Sequence, residues 1–284
     1  MRKFVLNDGV EIPTLGFGTY KIPSDGTAYR AVSQALSIGY RLIDTAALYM
    51  NESEIGKAVR DSGIGRDEIF VTSKVWLQDN GYARTRAAID DSLRRLDMDY
   101  MDLYLVHQPY GDVQGTWKAM EEAKAAGKIR SIGVSNMTAR MWKEHYPGFD
   151  VKPSVNQVEF NPYSQQRNIR RIMSEAGCVL QAWSPLARAD ADLMSEPAIS
   201  EIAEKHGKTI AQIILGFIIH EGVIALVKSS HSDRIRENFD VFDFSLDDDD
   251  IDAMRKLDKG HPVRDPDAPG VAQYLLSKYD IYSK

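Results

Sequence analysis

The sequence predicts an α/β protein built as a (β/α)8 TIM barrel. Two observations lead to this fold class: short β-rich segments recur eight times, and amphipathic helical patterns separate them. The segments are residues 15–19, 41–45, 69–74, 102–107, 129–135, 154–160, 178–184 and 223–229. An open doubly wound sheet has the same alternation and is the alternative. The 284 residues suit one barrel or two smaller domains, and we expect one domain over residues 1–284.

A β-hairpin is predicted before the first barrel strand. In the stretch FVLNDGVEI, apolar runs flank Asn7, Asp8 and Gly9, which is a strong signal for a tight hairpin turn. We expect this hairpin to cap the bottom of the barrel.

The helical patterns between strands have apolar residues three and four positions apart. Ile89, Leu93 and Leu96 follow this spacing. The stretch GTWKAMEEAKAAG repeats it, and Gly127 is expected to end that helix.

Two features follow the last predicted strand. The acidic run SLDDDDIDAM is interpreted as a helix start, with Asp247 as N-cap and Asp250 three residues later, where the helix dipole favours negative charge. The tail from Gly260 to Lys284 is rich in Asp and Pro and then aromatic, and we expect an ordered C-terminal loop over the barrel.

Composition and charge limit the partners. The net charge of -6 gives no bulk electrostatic reason to bind nucleic acid or an acidic membrane. No apolar run approaches the roughly 20 residues needed to cross a bilayer, and the N-terminus lacks the apolar core of a signal peptide. The only cysteine, Cys178, lies in an apolar run, is interpreted as a core residue and permits no disulfide within one chain. We therefore expect a cytoplasmic protein.

The histidines outside the strand ends show no metal-ligand spacing, so we expect no metal site. They are His145, His206, His220, His231 and His261.

Polar and ionisable residues recur where the predicted strands end. In a TIM barrel the active site lies at the carboxyl ends of the strands, so these residues would meet at one mouth. Each alone has a structural interpretation as a cap, a solvated lysine or a hydrogen-bonded core histidine, but convergence of all of them favours a site. The residues are Asp44, Lys74, His107, Ser135, Asn136, Gln157, Ser184 and Lys228.

The first of these residues suggest proton transfer to a carbonyl. Tyr49 follows Asp44 by five residues, and a phenol has an ordinary pKa of about 10, which a nearby cation lowers. Lys74 could supply that cation, Asp44 could hold it, and His107 could donate a hydrogen bond to a substrate oxygen.

Seven segments in order resemble the aldo-keto reductase superfamily, and most closely its bacterial branch of 2,5-diketo-D-gluconate and methylglyoxal reductases. They are DTAALYMNESEIGKAV, SKVW, LYLVHQP, IGVSN, NQVEFNP, AWSPLA and KSSHSDRIRENFDVFDF. The resemblance implies NADPH-dependent reduction of aldehydes or ketones by a monomer. It implies Tyr49 as general acid, Lys74 to lower the pKa of Tyr49, Asp44 to pair with Lys74, and His107 to orient the carbonyl.

The resemblance also implies residues that bind the cofactor and the substrate. The nicotinamide carboxamide would contact Ser135, Asn136 and Gln157, and the ring would stack on Trp183. Gly18 and Thr19 at the first strand end and Asp44 are further cofactor positions. Ser184 and Leu186 would lie along the pyrophosphate. The 2'-phosphate would contact Lys228, Ser229, Ser230 and Arg234, and the adenine would contact Glu237 and Asn238. The substrate would contact Tyr49 and His107. Tyr20 and Trp76 would follow strand ends, so we interpret them as further walls of the substrate pocket, with a position in the core as the alternative.

The phosphate site has a physical warrant of its own. In KSSHSDRIREN, cations and hydroxyls precede a short helix whose free N–H groups favour an anion. This favours NADPH over NADH, although Arg234 and Glu237 could instead form an exposed i,i+3 pair. A dinucleotide-binding Rossmann motif is excluded, because Lys21 stands where GFGTYK would need its third glycine.

Some positions depart from the family pattern. Met50 replaces a common glycine, Gln108 and Tyr20 stand where tryptophan is frequent, and LVKSS lacks the usual proline.

Two other functions stay open at this point: a lyase that forms a Schiff base on Lys74, and a relative that binds cofactor without turnover.

Overall fold

Eight parallel strands form a closed barrel in the part of the chain that the computed structural model describes, residues 2–260, 262 and 265–283. A hairpin of β1 (Lys3–Val5) and β2 (Glu11–Pro13) precedes it. The barrel strands are β3 (Leu15–Gly18), β4 (Leu42–Asp44), β5 (Phe70–Val75), β6 (Met101–Val106), β7 (Ile129–Ser135), β8 (Val155–Glu159), β9 (Val179–Trp183) and β10 (Ile224–Val227). Because β10 pairs with both β9 and β3, the predicted (β/α)8 barrel is confirmed and the open sheet is excluded.

Helices follow the strands and pack around the barrel. They are α1 (Thr27–Ile38), α2 (Glu52–Asp61), α3 (Tyr82–Leu96), α4 (Val113–Ala125), α5 (Ala139–His145), α6 (Arg167–Glu175), α7 (Pro197–His206), α8 (Ile210–His220), α9 (Ser232–Phe239), α10 (Asp248–Lys256) and α11 (Val271–Lys278). Both α7 and α8 lie between β9 and β10, so this connection is longer than a single crossover helix. None of the helices described is long and apolar enough to cross a membrane.

Strand alternation divides the apolar side chains into two clusters. On β4, Leu42 belongs to the cluster inside the barrel, whereas Ile43 belongs to the cluster between strands and helices. Leu6 and Ile12 of the hairpin join the inner cluster. Asn7 in the hairpin turn donates to the carbonyl oxygen of Pro153 at 3.0 Å, just before β8. The hairpin therefore caps the amino end of the barrel, as predicted.

The C-terminal part begins with the predicted helix start. The side chain of Asp247 accepts from the N–H of Asp250, and the side chain of Asp250 accepts from the N–H of Asp247, so the acidic run is a capping box. The tail is not a loop throughout, because it includes α11. Its last described residues return to the barrel, where the indole N–H of Trp76 donates to the carbonyl oxygen of Tyr279 at 3.1 Å.

Close helix packing on the outside of the barrel gives a test of the fold. A Cβ added at Gly56 on α2 would lie 1.9 Å from the carbonyl oxygen of Leu96 on α3. We expect Gly56→Ala to lower the free energy of unfolding by about 2 kcal/mol or more, because the two helices must separate. Urea unfolding measures this, with Ser53→Ala on the exposed side of α2 as the control. Equal midpoints for the two variants would contradict the close approach.

Candidate active site

The structure brings the four predicted catalytic residues together at the carboxyl ends of neighbouring strands. Asp44 ends β4, Lys74 is on β5, and His107 directly follows β6. Tyr49 ends a short 3-10 helix, Ala47–Tyr49, that follows β4. On β5, Lys74 has the same alternation as Phe70 of the inner cluster, so its side chain lies inside the barrel.

The ammonium group of Lys74 is completely buried and lies among three oxygens. Its Nζ is 2.6 Å from Oδ1 of Asp44, 2.8 Å from the carbonyl oxygen of Thr45 and 3.5 Å from Oη of Tyr49. Three acceptors match the three hydrogens of an ammonium group. Burial lowers the pKa of Lys74, and the Asp44 carboxylate acts in the opposite direction.

The phenol of Tyr49 has a raised pKa in this structure. Desolvation is the main cause, and the negative charge of Asp44 adds to it. The phenol is therefore protonated at neutral pH. The role assigned to Lys74, stabilising the phenolate, remains a prediction, and it has to act against both of these effects.

His107 is neutral at this site. Burial is the first cause that places its pKa well below 6.5, and the nearby Lys74 cation is the second. Its ring lies edge-on to Tyr49, with centroids 5.6 Å apart, and edge-on to Trp76 at 5.2 Å. Among the residues described, its buried Nδ1 has no hydrogen-bond partner. The imidazole is thus held by contacts with two aromatic rings.

Gln157 extends the polar chain across the barrel. Its Nε2 donates to Oδ2 of Asp44 and to Oε1 of Gln181, each at 2.8 Å. Sequence reasoning missed Gln181, although it lies two residues before Trp183 on β9 and therefore on the same face. Lys74 on the neighbouring strand binds one oxygen of Asp44 and Gln157 binds the other from across the barrel, so the carboxylate is fixed on two sides.

Ser135, Asn136 and Trp183 form a second group beside this chain. Asn136 has a left-handed backbone, with φ 57°. Its Oδ1 accepts from the indole N–H of Trp183 at 2.9 Å, and its Nδ2 donates to Oγ of Ser135 at 3.1 Å. Asn136 therefore holds the indole next to the strand ends. The cofactor contacts predicted for these residues remain predictions.

The predicted phosphate residues lie after β10. Lys228, Ser230 and Arg234 are exposed, and α9 starts at Ser232. Ser229 differs from them, because it is buried and its Oγ accepts from the N–H of His231 at 3.0 Å. In the described part of the chain, Arg234 and Glu237 form no ion pair, so the alternative of a simple exposed pair is not seen.

The remaining predicted cofactor residues lie at the same side of the barrel or on α9. Thr19 is buried, and its hydroxyl donates to the carbonyl oxygen of Asp44 at 3.0 Å. Ser184 has a left-handed backbone with φ 55°, and Asn238 is buried. The others are Gly18 at the end of β3, Leu186 after β9 and Glu237 on α9.

A small cavity of about 170 Å³ opens beside Tyr49. Its lining includes Tyr20, which was predicted, and residues that were not predicted as contacts: Lys21, Leu48, Met50, Tyr279, Asp280 and Ile281. Trp76 does not line this cavity, because the tail covers it and only 1% of its surface is exposed. A larger groove of about 420 Å³, between α2 and α3, contains none of the predicted site residues.

Met50 adopts a conformation that favours glycine. Its φ is 56° and ψ is 25°, directly after Tyr49. This left-handed backbone gives a physical reason for the glycine that the family resemblance leads one to expect here.

The described residues contain no group of three or more His, Cys, Asp or Glu side chains that could hold a metal ion. His261, one of the histidines considered above, lies outside those residues.

Comparison with known proteins gives consistent matches over most of the chain. The model of the Aldo/keto reductase family matches residues 14–259. Glyoxal reductase of Bacillus subtilis is 44% identical over 259 residues, covering 91% of this chain and 93% of the relative. Morphine 6-dehydrogenase of Pseudomonas putida is 40% identical over 288 residues, covering 95% and 97%.

Solved structures agree with the fold. MGS-M4, an aldo-keto reductase enzyme from a Medee basin deep-sea metagenome library, superimposes with a TM-score of 0.90 at 39% identity, covering 92% of this chain and 97% of that chain. A mutant of Gox0644 in complex with NADPH has a TM-score of 0.89 at 36% identity, covering 94% and 98%.

The neutral state of His107 can be observed directly. Since burial places its pKa well below 6.5, we expect its imidazole to stay neutral from about pH 8 down to at least pH 6. Histidine-selective ¹⁵N NMR measures the protonation state, and His107→Gln identifies the resonance. A pKa at or above 6.5 would contradict the desolvated site.

Proposed function

Because the chain belongs to the aldo/keto reductase family, we propose that it is an NADPH-dependent oxidoreductase that reduces aldehydes or ketones to alcohols. The observation that carries this proposal is the buried ion pair of Asp44 and Lys74, whose ammonium group also contacts Tyr49 beside a neutral His107. Family membership supports carbonyl reduction in general. The similarity to a glyoxal reductase supports an aldehyde as substrate.

Tyr49 is the proposed general acid. Its raised pKa keeps the phenol protonated at neutral pH, so the proton is present when the carbonyl oxygen gains negative charge. After transfer, the Lys74 ammonium 3.5 Å away stabilises the phenolate, and Asp44 keeps that ammonium charged despite its burial. His107 donates a hydrogen bond that orients the substrate oxygen. In the oxidative direction Tyr49 accepts the proton again.

The residues after β10 fit the phosphates of NADPH. Two exposed cations, Lys228 and Arg234, lie with Ser230 around the start of α9, where backbone N–H groups favour an anion. When bound, NADPH supplies the hydride for the carbonyl carbon. The complex of a Gox0644 mutant with NADPH supports this cofactor.

Along the rest of the cofactor we propose the contacts that the sequence implied. The polar side chains at the ends of β7 and β8 bind the carboxamide, and the indole held by Asn136 stacks on the ring. The proposed contacts are Ser135, Asn136 and Gln157 for the carboxamide, Trp183 for the ring, Gly18, Thr19, Asp44, Ser184 and Leu186 along the middle, Lys228, Ser229, Ser230 and Arg234 for the 2'-phosphate, and Glu237 and Asn238 for the adenine.

The cavity beside Tyr49 supports a small carbonyl substrate. Its volume of about 170 Å³ is below the range of about 300–1,000 Å³ typical of pockets for drug-sized ligands. Tyr20, Tyr279 and Met50 give it aromatic and apolar walls, and its polar side chains include Lys21 and Asp280. We propose short or aromatic aldehydes, including methylglyoxal, as the first compounds to assay.

The two alternatives have less support. A Schiff-base lyase needs a free amine at Lys74, but this ammonium already lies among three oxygens. A relative without turnover has no use for a positioned proton donor, and tight NADPH binding with no reduction of any carbonyl in a broad panel would favour it.

We further propose that residues 1–284 form one domain that acts as a cytoplasmic monomer. The hairpin, the barrel and the tail share packing contacts, which supports one domain. Cys178 is a free, buried thiol, which is compatible with a reducing compartment.

Removal of the Tyr49 hydroxyl tests the proton donor. We expect Tyr49→Phe to reduce kcat for carbonyl reduction by about 10²- to 10⁴-fold, because the general acid is lost. NADPH affinity should stay nearly unchanged, since the hydroxyl is not part of the proposed cofactor site. NADPH oxidation and NADPH fluorescence titration measure the two effects. Tyr29→Phe, which removes a phenol hydroxyl on α1 that donates to Asp61, is the matched control. Normal turnover of Tyr49→Phe would rule out this general acid.

Removal of one exposed cation tests cofactor preference. We expect Arg234→Ala to weaken NADPH binding by about ten- to a hundredfold and to change NADH binding far less, because only NADPH carries the 2'-phosphate. Arg236→Ala on the same helix is the control and should affect the two nucleotides equally. A loss in Arg234→Ala that is equal for NADPH and NADH would place the phosphate elsewhere.

A further inference from the structure

Two buried polar residues follow the tyrosine and have no role in the chemistry proposed above. Asn51 is completely buried, and Glu52 is 1% exposed although it begins α2. A buried carboxylate at the start of a helix is unusual, because acidic side chains there are normally exposed. Together we call these residues the Asn51–Glu52 brace.

Asn51 connects the brace to the first two barrel strands. Its Nδ2 donates to the carbonyl oxygens of Thr19 at 3.0 Å and Ile22 at 3.1 Å, after β3. Its Oδ1 accepts from the hydroxyl of Thr45 at 2.8 Å, after β4. All three contacts are buried, so they fix the segment on the side of β3 and β4.

Glu52 connects the same segment to β5 and α3. Its Oε1 accepts from the hydroxyl of Ser73 at 2.6 Å, and its Oε2 accepts from Nε of Arg95 at 2.6 Å. Ser73 directly precedes Lys74 on the strand, with its side chain on the opposite face. The carboxylate therefore holds the backbone beside Lys74 from outside the barrel.

The contacts of Glu52 fix the position of its carboxylate group. A desolvated carboxylate is costly unless both oxygens are bound, and here one hydroxyl and one guanidinium bind them. The positive end of the α2 dipole adds stabilisation. Glu54, two residues later, instead accepts from the N–H groups of Gly26 and Tyr29 on the side of α1.

Tyr49 needs such a support, because its own contact with Lys74 is weak. The distance of 3.5 Å between Oη of Tyr49 and Nζ of Lys74 is at the limit of a hydrogen bond. The left-handed Met50 then turns the chain directly into Asn51. The phenol is thus positioned by its backbone and by ring contacts with Tyr20 and His107, and the brace holds that backbone.

We propose that Asn51 and Glu52 are positioning residues that set the distance between the phenol of Tyr49 and the ammonium of Lys74. Asn51 fixes the tyrosine segment to β3 and β4, and Glu52 fixes it to the strand that carries Lys74. This inference rests on the proposed function, in which Tyr49 donates the proton and Lys74 stabilises the phenolate.

Glu52→Gln tests the brace with little change in shape. It leaves Arg95 without its carboxylate, so we expect kcat for methylglyoxal reduction, per NADPH-binding site, to fall about tenfold or more through misplacement of the phenol. KM and the Kd of NADPH should change by less than about twofold. Because chemistry then becomes slower than other steps, the isotope effect of deuterated NADPH on kcat should increase.

Two further variants separate positioning from general damage. Ser73→Ala removes only the contact with β5 and should change kcat and the isotope effect in the same direction by a smaller factor. Glu54→Gln removes a carboxylate from the same helix and should leave both unchanged. Normalising to NADPH-binding sites excludes unfolded protein from the comparison.

The outcomes distinguish this inference from the proposed function. If the wild type is active and Glu52→Gln matches Glu54→Gln in kcat and isotope effect, the brace has no positioning role. If the wild type reduces no carbonyl in the panel, the proposed function fails. The distance between Oη of Tyr49 and Nζ of Lys74 in crystals of Glu52→Gln then decides the inference: an unchanged distance overturns it, and a longer one supports it.

Discussion

The buried ion pair between Lys74 and Asp44 is the interaction on which the site depends. An ammonium with no solvent exposure is tolerated only if oxygens replace its water, and a single carboxylate cannot do this alone. The carbonyl oxygen of Thr45 and the phenol of Tyr49 complete the shell. The need to solvate one cation therefore joins the end of β4, the turn that follows it and the carboxyl end of β5 in a single arrangement.

The barrel separates this polar group from its apolar interior. The hairpin fills the amino end with Leu6 and Ile12, and the inner cluster of apolar side chains lies below the ion pair. At the carboxyl end, Gln157 and Gln181 continue the hydrogen bonds from Asp44 across the barrel. Apolar side chains thus fill one end of the barrel, and the polar residues of the candidate active site lie at the other, as expected when all strands are parallel.

Much of this arrangement could be predicted, because the barrel strands obey simple rules. Eight short β-rich segments separated by amphipathic helical patterns located the barrel strands, and the capping-box pattern located the start of α10. The structure also brings Asp44, Lys74 and Tyr49 together at the mouth, which the shared direction of the strands made predictable.

What could not be predicted depended on contacts distant in sequence. The helix α11 lies in a tail whose Asp and Pro content indicates a loop, and its packing on Trp76 and Leu77 is tertiary. The same tail contacts bury Trp76, for which the sequence left both a pocket wall and a core position open. The pKa of Tyr49 is shifted upwards because its surroundings exclude water, and the spacing of residues in the sequence does not specify how strongly they do so. Gln181 was overlooked because its strand is otherwise apolar.

Met50 gives the mouth a chemical sensitivity that glycine would not. Met50 is 47% exposed and lines the cavity, whereas the thiol of Cys178 is buried and its pKa is raised by burial. Oxidation to the sulfoxide would place a polar, chiral group against the substrate while leaving Tyr49 and Lys74 intact. Oxidation of Met50 would thus change a wall of the cavity and leave the groups of the proposed proton transfer unmodified.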